Sequence, residues 1–346
     1  MKKLVTAIIG MGVVGKRRKH FIEKNKNYEL IAVSDITFKK DSKKNDIYYY
    51  KDYKSIKNHK LDCVFVTLPN YLAPVVTGEL LKKNISVFCE KPPGRNINDI
   101  KRIIKIENKS KGKLMYGFNH RYHDSVVEAL KIVQSNKLGE IINLRGVYGK
   151  SQLTTFNQAD WRTKRDIAGG GVLLDQGIHM VDLMRLFTGE FEEVHSFISN
   201  NHWNYNVEDN AYALMRTTKG TVAMLNSSAT QWRHMFRLDI NLEKGSLILG
   251  GILSSSKSYG AETLTVVSAN PQNDNGNPRE VVTRYNTDPS WYAEIKEFAE
   301  CILNNREISS GNSYDALQTM KLVFRIYFSD KKWRKSYNIK DPNIYE

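Results

Sequence analysis

Short apolar runs alternate with amphipathic stretches through the first third of the chain, and this rhythm narrows the available folds more than any other feature. Runs over 3–9, 29–34, 62–68, 85–89 and 114–117 read as strands, while 74–83 and 97–109 carry helical periodicity. Strands separated by helices pair in parallel with both sheet faces covered, so a doubly wound domain is expected over 1–120. A chain of 346 residues has room for a second domain, taken as 121–346.

In that second part a helical stretch over 125–135 precedes longer strand patterns at 141–150, 193–199, 210–216, 221–229, 236–242 and 263–267. Short turns such as Thr218-Lys219-Gly220 join several of them, which predicts a mostly antiparallel sheet. A polar loop over 271–278 and helices over 291–303 and 313–328 follow; the Lys331–Lys335 run and the tail beyond it read as exposed.

Cys63, Cys89 and Cys301 are far apart and show neither paired-cysteine nor Cys/His spacing, so no disulfide framework or metal site is expected and a reducing cytoplasm fits. The basic start and the apolar run behind it are interrupted by three glycines and followed by Lys16-Arg17-Arg18-Lys19, which argues against a signal peptide. No apolar stretch is long enough to span a bilayer. A net charge of +15 raises the question of nucleic acid, yet the lysines are scattered and no aromatic-interleaved segment accompanies them. Such a surface welcomes an anionic small molecule instead.

Gly10-Met11-Gly12-Val13-Val14-Gly15 follows the first strand and opens a helical stretch, where glycines permit a tight turn and close approach of a pyrophosphate to the helix start. Asp35 closes the second strand 20 residues past Gly15, at the distance from which a carboxylate holds ribose hydroxyls. That acid favours NAD, and Lys39 and Lys40 leave NADP open. Two further strand ends, Thr67-Leu68-Pro69-Asn70 and Glu90-Lys91-Pro92-Pro93, point to the same side of a doubly wound sheet.

Within Gly169-Gly170-Gly171-Val172-Leu173-Leu174-Asp175-Gln176-Gly177-Ile178-His179-Met180-Val181-Asp182, three polar groups stand four and then three residues apart, on one face if the segment is a helix. A packed core histidine is the plain alternative; beside the glycine loop and Lys91, the segment reads as a proton-handling site, with Asp182 as support. The three glycines are expected to let backbone approach substrate or nicotinamide. Trp161 and Arg162 suit a pocket wall, and Arg121 and Tyr148 are weaker candidates of the same kind, Arg121 being equally readable as an ion-pair partner.

Together, the glycine loop, Leu68-Pro69-Asn70, Glu90-Lys91-Pro92, Gly117-Phe118-Asn119-His120-Arg121-Tyr122, Leu138-Gly139-Glu140 and the Asp175/His179 stretch resemble the Gfo/Idh/MocA oxidoreductases over nearly the whole chain. The resemblance implies a Rossmann domain followed by an α/β domain whose large, mostly antiparallel open sheet mediates homodimers or homotetramers. It also implies a cis bond before Pro92, cofactor contacts from Gly10, Gly12, Val13, Val14, Gly15, Asp35, Leu68, Pro69, Asn70, Glu90 and Lys91, and catalysis by Lys91, His179 and Asp175. Lys91, Arg121, Trp161, Arg162, Asp175 and His179 become candidates for holding a sugar, sugar phosphate or nucleotide sugar. The chain departs from the common pattern at Ala73, where many members have His, and at Pro93, where Leu or Met is more usual.

Oxidation of a secondary alcohol needs a base near working pH within reach of the hydroxyl, a role His179 fits by type; Asp175 is placed to orient its ring, and Lys91 to stabilise alkoxide charge. Two other readings stay open: a glycosidase working through transient oxidation by NAD, and a non-enzymatic NAD-responsive regulator.

Overall fold

The computed structural model describes residues 2–152, 160–254, 256–270 and 272–342, so Met1, Pro271 and the last residues of the tail lie outside the described residues. Two compact units emerge: Met1–Asn119 with Trp291–Leu317, and His120–Ser290 with Gln318–Glu346. Where the sequence suggests a single boundary at 120, the chain returns to the first unit through 291–317.

The first unit is built on a seven-stranded sheet in the order β3-β4-β2-β1-β5-β6-β7. Its strands are β1 (Leu4–Ile9), β2 (Tyr28–Ser34), β3 (Ser42–Lys44), β4 (Ile47–Tyr50), β5 (Cys63–Val66), β6 (Ser86–Cys89) and β7 (Leu114–Tyr116). All neighbours pair in parallel except β3 with β4. The crossover helices are α1 (Val13–Lys24), α2 (Ala73–Leu81) and α3 (Ile97–Glu107). β1, β5 and β6 are apolar and almost wholly buried, as strands covered on both faces must be. The β3–β4 hairpin carries no apolar alternation, since β3 is an exposed edge of Ser and Lys.

The second unit has an eight-stranded sheet in the order β15-β14-β13-β12-β8-β11-β10-β9. It comprises β8 (Ile141–Gly149), β9 (Phe191–Ser199), β10 (Asn210–Thr217), β11 (Val222–Ser228), β12 (Met235–Leu242), β13 (Gly245–Gly250), β14 (Glu262–Ser268) and β15 (Arg279–Tyr285). Only β8 and β11 pair in parallel. Its helices are α4 (Asp124–Gln134), the short α5 (Arg165–Ala168) and α6 (Ile178–Thr188); α7 (Ser290–Leu303) falls almost wholly in the first unit, and most of α8 (Ser313–Ser329) and all of α9 (Lys331–Tyr337) in the second. α6 packs on β8 and β11, and α4 on β13 and β14, covering one sheet face. The strict in-and-out burial of β10 shows what the other face looks like: Tyr212 and Leu214 point outward between buried neighbours.

The basic run near the end exposes Lys331, Lys332 and Lys335 as expected, but it is ordered as α9, capped by Asp330, which accepts from Trp333 N at 2.8 Å, and the Trp333 ring is buried. Arg165 lies over the rings of Trp333 and Tyr337, at 5.2 and 4.2 Å, so this stretch is held by an aromatic and cation–π contact that charge alone does not reveal.

Candidate functional site

In the first unit the glycine loop turns the chain from β1 into α1. Gly10 has φ +97°, and a Cβ there would lie 2.5 Å from Thr67 O, while one on Gly15 would lie 1.9 Å from Gly10 O. Both glycines are therefore demanded by the fold itself. Gly12 differs: nothing of the protein stands within 4 Å of where its Cβ would be. Val13 and Val14 follow as the first turn of α1, whose N–H groups have no acceptor within the helix. An open approach beside exposed helix-start donors is what a pyrophosphate requires, so these residues fit a dinucleotide.

Asp35 follows β2 and faces the same loop. Its Oδ2 accepts from Met11 N at 2.6 Å, and its Oδ1 accepts from Thr37 N and Thr37 Oγ1 at 2.9 and 2.6 Å. Partial burial opposes ionisation, but these three donors, with Lys16 nearby, hold the carboxyl below its ordinary value. Thr67 Oγ1 donates to Gly10 O at 2.6 Å and so ties the β5 end to the loop. Leu68, Pro69 and Asn70 form the turn from β5 into α2, with Pro69 O accepting from Leu72 N and Ala73 N.

Glu90 and Lys91 follow β6, and the Lys91–Pro92 peptide is cis. The Glu90 carboxylate is engaged by the wholly buried Arg18 of α1, with Nε and Nη2 both 2.6 Å from Oε1. Arg18 Nη1 lies 2.6 Å from Glu294 Oε1 of α7, and its guanidinium is 4.5 Å from the Phe88 ring and 4.3 Å from the Trp291 ring. Glu90 thus serves as an anchor within the protein. Arg18 was hidden in a surface-like basic run, and only its spacing from Gly15, one turn along α1, hints at burial.

In the second unit, Gly169–Gly171 leads into a π-helical turn, Leu173–Gly177, which continues as α6. The four-residue spacing of Asp175 and His179 is therefore set across a π turn, with a wider helical circuit than the α-helix expected from the sequence. The glycines have a structural cause: a Cβ on Gly171 would meet Glu208 O at 2.0 Å, and one on Gly170 the Tyr327 hydroxyl at 2.3 Å. Buried Glu208 accepts from Gly171 N at 2.8 Å, Leu173 N at 3.0 Å and Tyr327 Oη at 2.6 Å, pinning the start of the segment. No spacing in the sequence marks Glu208.

Each polar group of the segment has its own surroundings. Asp175 lies between two cations, Oδ2 3.2 Å from Lys150 Nζ and Oδ1 3.3 Å from Arg162 Nε. Arg162 also lies over Trp161, 4.4 Å from the ring centre. His179 is buried and stacks on His120, with ring centres 3.7 Å apart and planes at 14°. His120 Nε2 is 3.2 Å from Tyr148 Oη. Asp182 receives Arg121 Nε and Nη2, both at 2.7 Å, and Thr319 Oγ1 at 3.0 Å. Arg121 is accordingly an ion-pair partner of a buried carboxylate, and Asp182 a support, with Arg185 Nη1 donating to Thr319 Oγ1 at 2.7 Å.

Near Asp175, Tyr259 Oη is 3.4 Å from Gln176 Oε1, and Tyr148 stands edge-on to Tyr259. His234 bridges Ser151 and Ser258, at 3.0 and 2.7 Å. Its partial burial, reinforced by Lys150, holds it below its ordinary value. No sequence pattern marks Lys150 or His234, which come from a strand end and a loop far from Asp175 in the chain; Gln176, its neighbour, shows its role only through Tyr259.

Fold and site define a dinucleotide-binding α/β protein with a second unit rich in acid and imidazole groups. Residues 4–118 match the model of the oxidoreductase family with an NAD-binding Rossmann fold, and residues 126–248 match the GFO/IDH/MocA C-terminal domain. The chain belongs to the Gfo/Idh/MocA oxidoreductases, and NAD is the cofactor class of its Rossmann domain.

Among similar proteins, levoglucosan dehydrogenase of Pseudarthrobacter phenanthrenivorans is 28% identical over 43% of this chain. This chain spans only 38% of that relative's length. Inositol 2-dehydrogenase of Rhizobium meliloti is 23% identical over 91% of this chain and 93% of its own. A solved structure of levoglucosan dehydrogenase with NADH superposes with a TM-score of 0.81 at 19% identity, covering 96% of this chain and 98% of that one, which establishes the shared fold.

Proposed function

We propose that the protein is an NAD-dependent oxidoreductase that transfers hydride between nicotinamide and a secondary alcohol or ketone of a sugar, sugar phosphate or nucleotide sugar. The observation that carries the reading is His179, a buried imidazole four residues along the chain from an acid flanked by two cations, in a chain whose glycine loop leaves room at Gly12 for a dinucleotide. The names of the dehydrogenases it resembles support a polyhydroxylated substrate. In this reading the residues over 1–120 hold the cofactor, and 121–346 supply substrate binding and self-association.

Bound nicotinamide takes up or supplies the hydride. The first turn of α1 holds the pyrophosphate, and Asp35 holds the ribose hydroxyls with a carboxylate already oriented by Met11 and Thr37. His179 accepts the hydroxyl proton as alcohol becomes ketone, and returns it in the reverse direction. Lys91 stabilises charge on the reacting oxygen. Asp175 orients Lys150 and Arg162, and the surplus positive charge of that trio favours a substrate with an anionic group. Leu68, Pro69, Asn70 and Glu90 shape the cofactor side, Glu90 acting through Arg18. The free, buried cysteines suit a reducing cytoplasm; among the described residues no helix is long and apolar enough to cross a membrane.

The test is turnover across a panel of sugars, phosphorylated sugars and nucleotide sugars with NAD and with NADP. His179→Ala is expected to lower kcat by at least ~100-fold while NAD affinity is retained. No turnover by the unmodified protein, or undiminished turnover by the variant, rejects the reading. Release of free sugar from glycosides without NADH build-up assigns the glycosidase alternative instead. Salt-sensitive DNA binding that is indifferent to His179→Ala assigns the regulator.

A further inference from the structure

The stack of His120 on His179 is the one place in the second unit where two titratable rings lie face to face, among the described residues. At 3.7 Å and 14° the rings are in full van der Waals contact, and facing rings share no hydrogen bond. Whatever His120 does to His179 it does through shape and charge. His120 is itself locked: its Nε2 is 3.2 Å from Tyr148 Oη, and its ring packs at 5.4 Å on His123 and 5.9 Å on Phe236. Tyr148 is braced edge-on by Phe236 and Tyr259, at 5.2 and 5.3 Å.

We propose that His120 is a positioning residue for the proton carrier: it fixes the plane of the His179 ring and, being titratable, restricts the stacked pair to a single positive charge. The proposal rests on the role given to His179 above. When His120 is neutral with its proton on Nδ1, Tyr148 is the donor to Nε2 across 3.2 Å. Burial raises the Tyr148 phenol well above its ordinary value, so it keeps that proton throughout the working range. A neutral His120 then presents a polarisable ring face to the imidazolium that forms when His179 takes a substrate proton. A charged His120 would oppose that step across a buried 3.7 Å gap.

Several other ionisable groups surround the pair within this unit. His123 is held by Glu262 at 2.8 Å, Asp182 is neutralised by Arg121, and Asp175 lies between Lys150 and Arg162; Tyr148 and Tyr259 complete the set.

The deciding experiment follows the Cε1–H resonances of His120 and His179 by NMR against pH in the unmodified protein and in His120→Phe, which keeps a stacking ring and cannot be protonated. Two steps at least about one pH unit apart are expected for the pair, and a single displaced step for His179 in the variant. Kinetics add a second readout. His120→Ala should lower kcat about tenfold with NAD affinity unchanged, and His120→Phe should recover most of kcat while moving the acid limb of kcat/KM. Superimposable His179 titrations overturn the proposal, as do variants that lose only melting temperature and keep kcat and the acid limb. Undiminished turnover in His179→Ala overturns the proton-carrier reading itself, a failure distinct from one confined to His120 variants.

Discussion

Gly12 separates what a glycine does for the fold from what it does for a ligand. Gly10 and Gly15 would drive a Cβ into Thr67 O and Gly10 O, so substituting either disrupts the turn before any cofactor is involved. Gly12 has ordinary backbone angles, φ −66°, and no protein atom in the way. Gly12→Val should therefore leave the melting temperature nearly unchanged while weakening NAD binding by at least about tenfold, measured by calorimetry. An unaltered dissociation constant would mean that no dinucleotide lies there. At this scale the loop and Asp35 were readable, because local backbone chemistry dictates both. Lys150, Glu208 and Arg18 were not, since each acts on a group far away in sequence.

Among elements, the start of α4 and the edge of β14 are joined by one buried carboxylate. Glu262 accepts from His123 Nδ1 at 2.8 Å, Ser125 Oγ at 2.7 Å, Ser125 N at 3.2 Å and Leu253 N at 3.1 Å. Burial opposes its ionisation, yet the His123 contact and the other donors outweigh it and hold the carboxyl below its ordinary value. A carboxyl lowered in the folded state stabilises above its unfolded value, about pH 4.3, and that stability is lost as pH falls through the folded value. Glu262→Gln should cost about 2 kcal/mol near neutrality in denaturant unfolding, and the difference from the unmodified protein should shrink as the solution is acidified. A constant difference at every pH would dismiss the ionic contribution.

Elements with a regular burial pattern were legible: β10 alternates strictly, and β1, β5 and β6 are continuous apolar runs. β15 escaped because it is exposed along nearly its whole length and so shows no alternation, and β13 because glycines at both ends make it read as a turn. The π turn escaped for a different reason. The polar spacing of Asp175 and His179 suits an α-helix equally well, and only the packing of Gly171 against Glu208 distinguishes the two.

For the whole molecule, the uncovered face of the eight-stranded sheet carries the question of assembly. Phe197, Tyr212, Leu214, Val222 and Met224 are all exposed there, Phe197 at 81%. Register sets Tyr212 opposite Phe197, and Leu214 opposite Met224, so these side chains form one apolar patch across β9, β10 and β11. A patch of this kind suits a second copy of the chain, meeting it about a twofold axis. If this face serves the self-association proposed above, Phe197→Glu combined with Leu214→Glu should leave only monomers in sedimentation velocity, with the circular dichroism spectrum preserved. An unmodified protein that is already monomeric at micromolar concentration would remove this face from consideration.

The return of 291–317 to the first unit has a consequence for the order in which the protein comes into being. Tyr28 Oη donates to Ile295 O at 2.5 Å, Phe298 packs edge-on against Phe65 and Phe88, Glu294 meets Arg18, and Tyr116 N donates to Gly311 O at 2.7 Å. A ribosome that has finished the nucleotide-binding strands has therefore not finished their domain. Arg18 and the Phe65–Phe88 layer wait for nearly two hundred further residues before their last partners emerge, so the nascent amino-terminal half must be kept from aggregating while its core is still open.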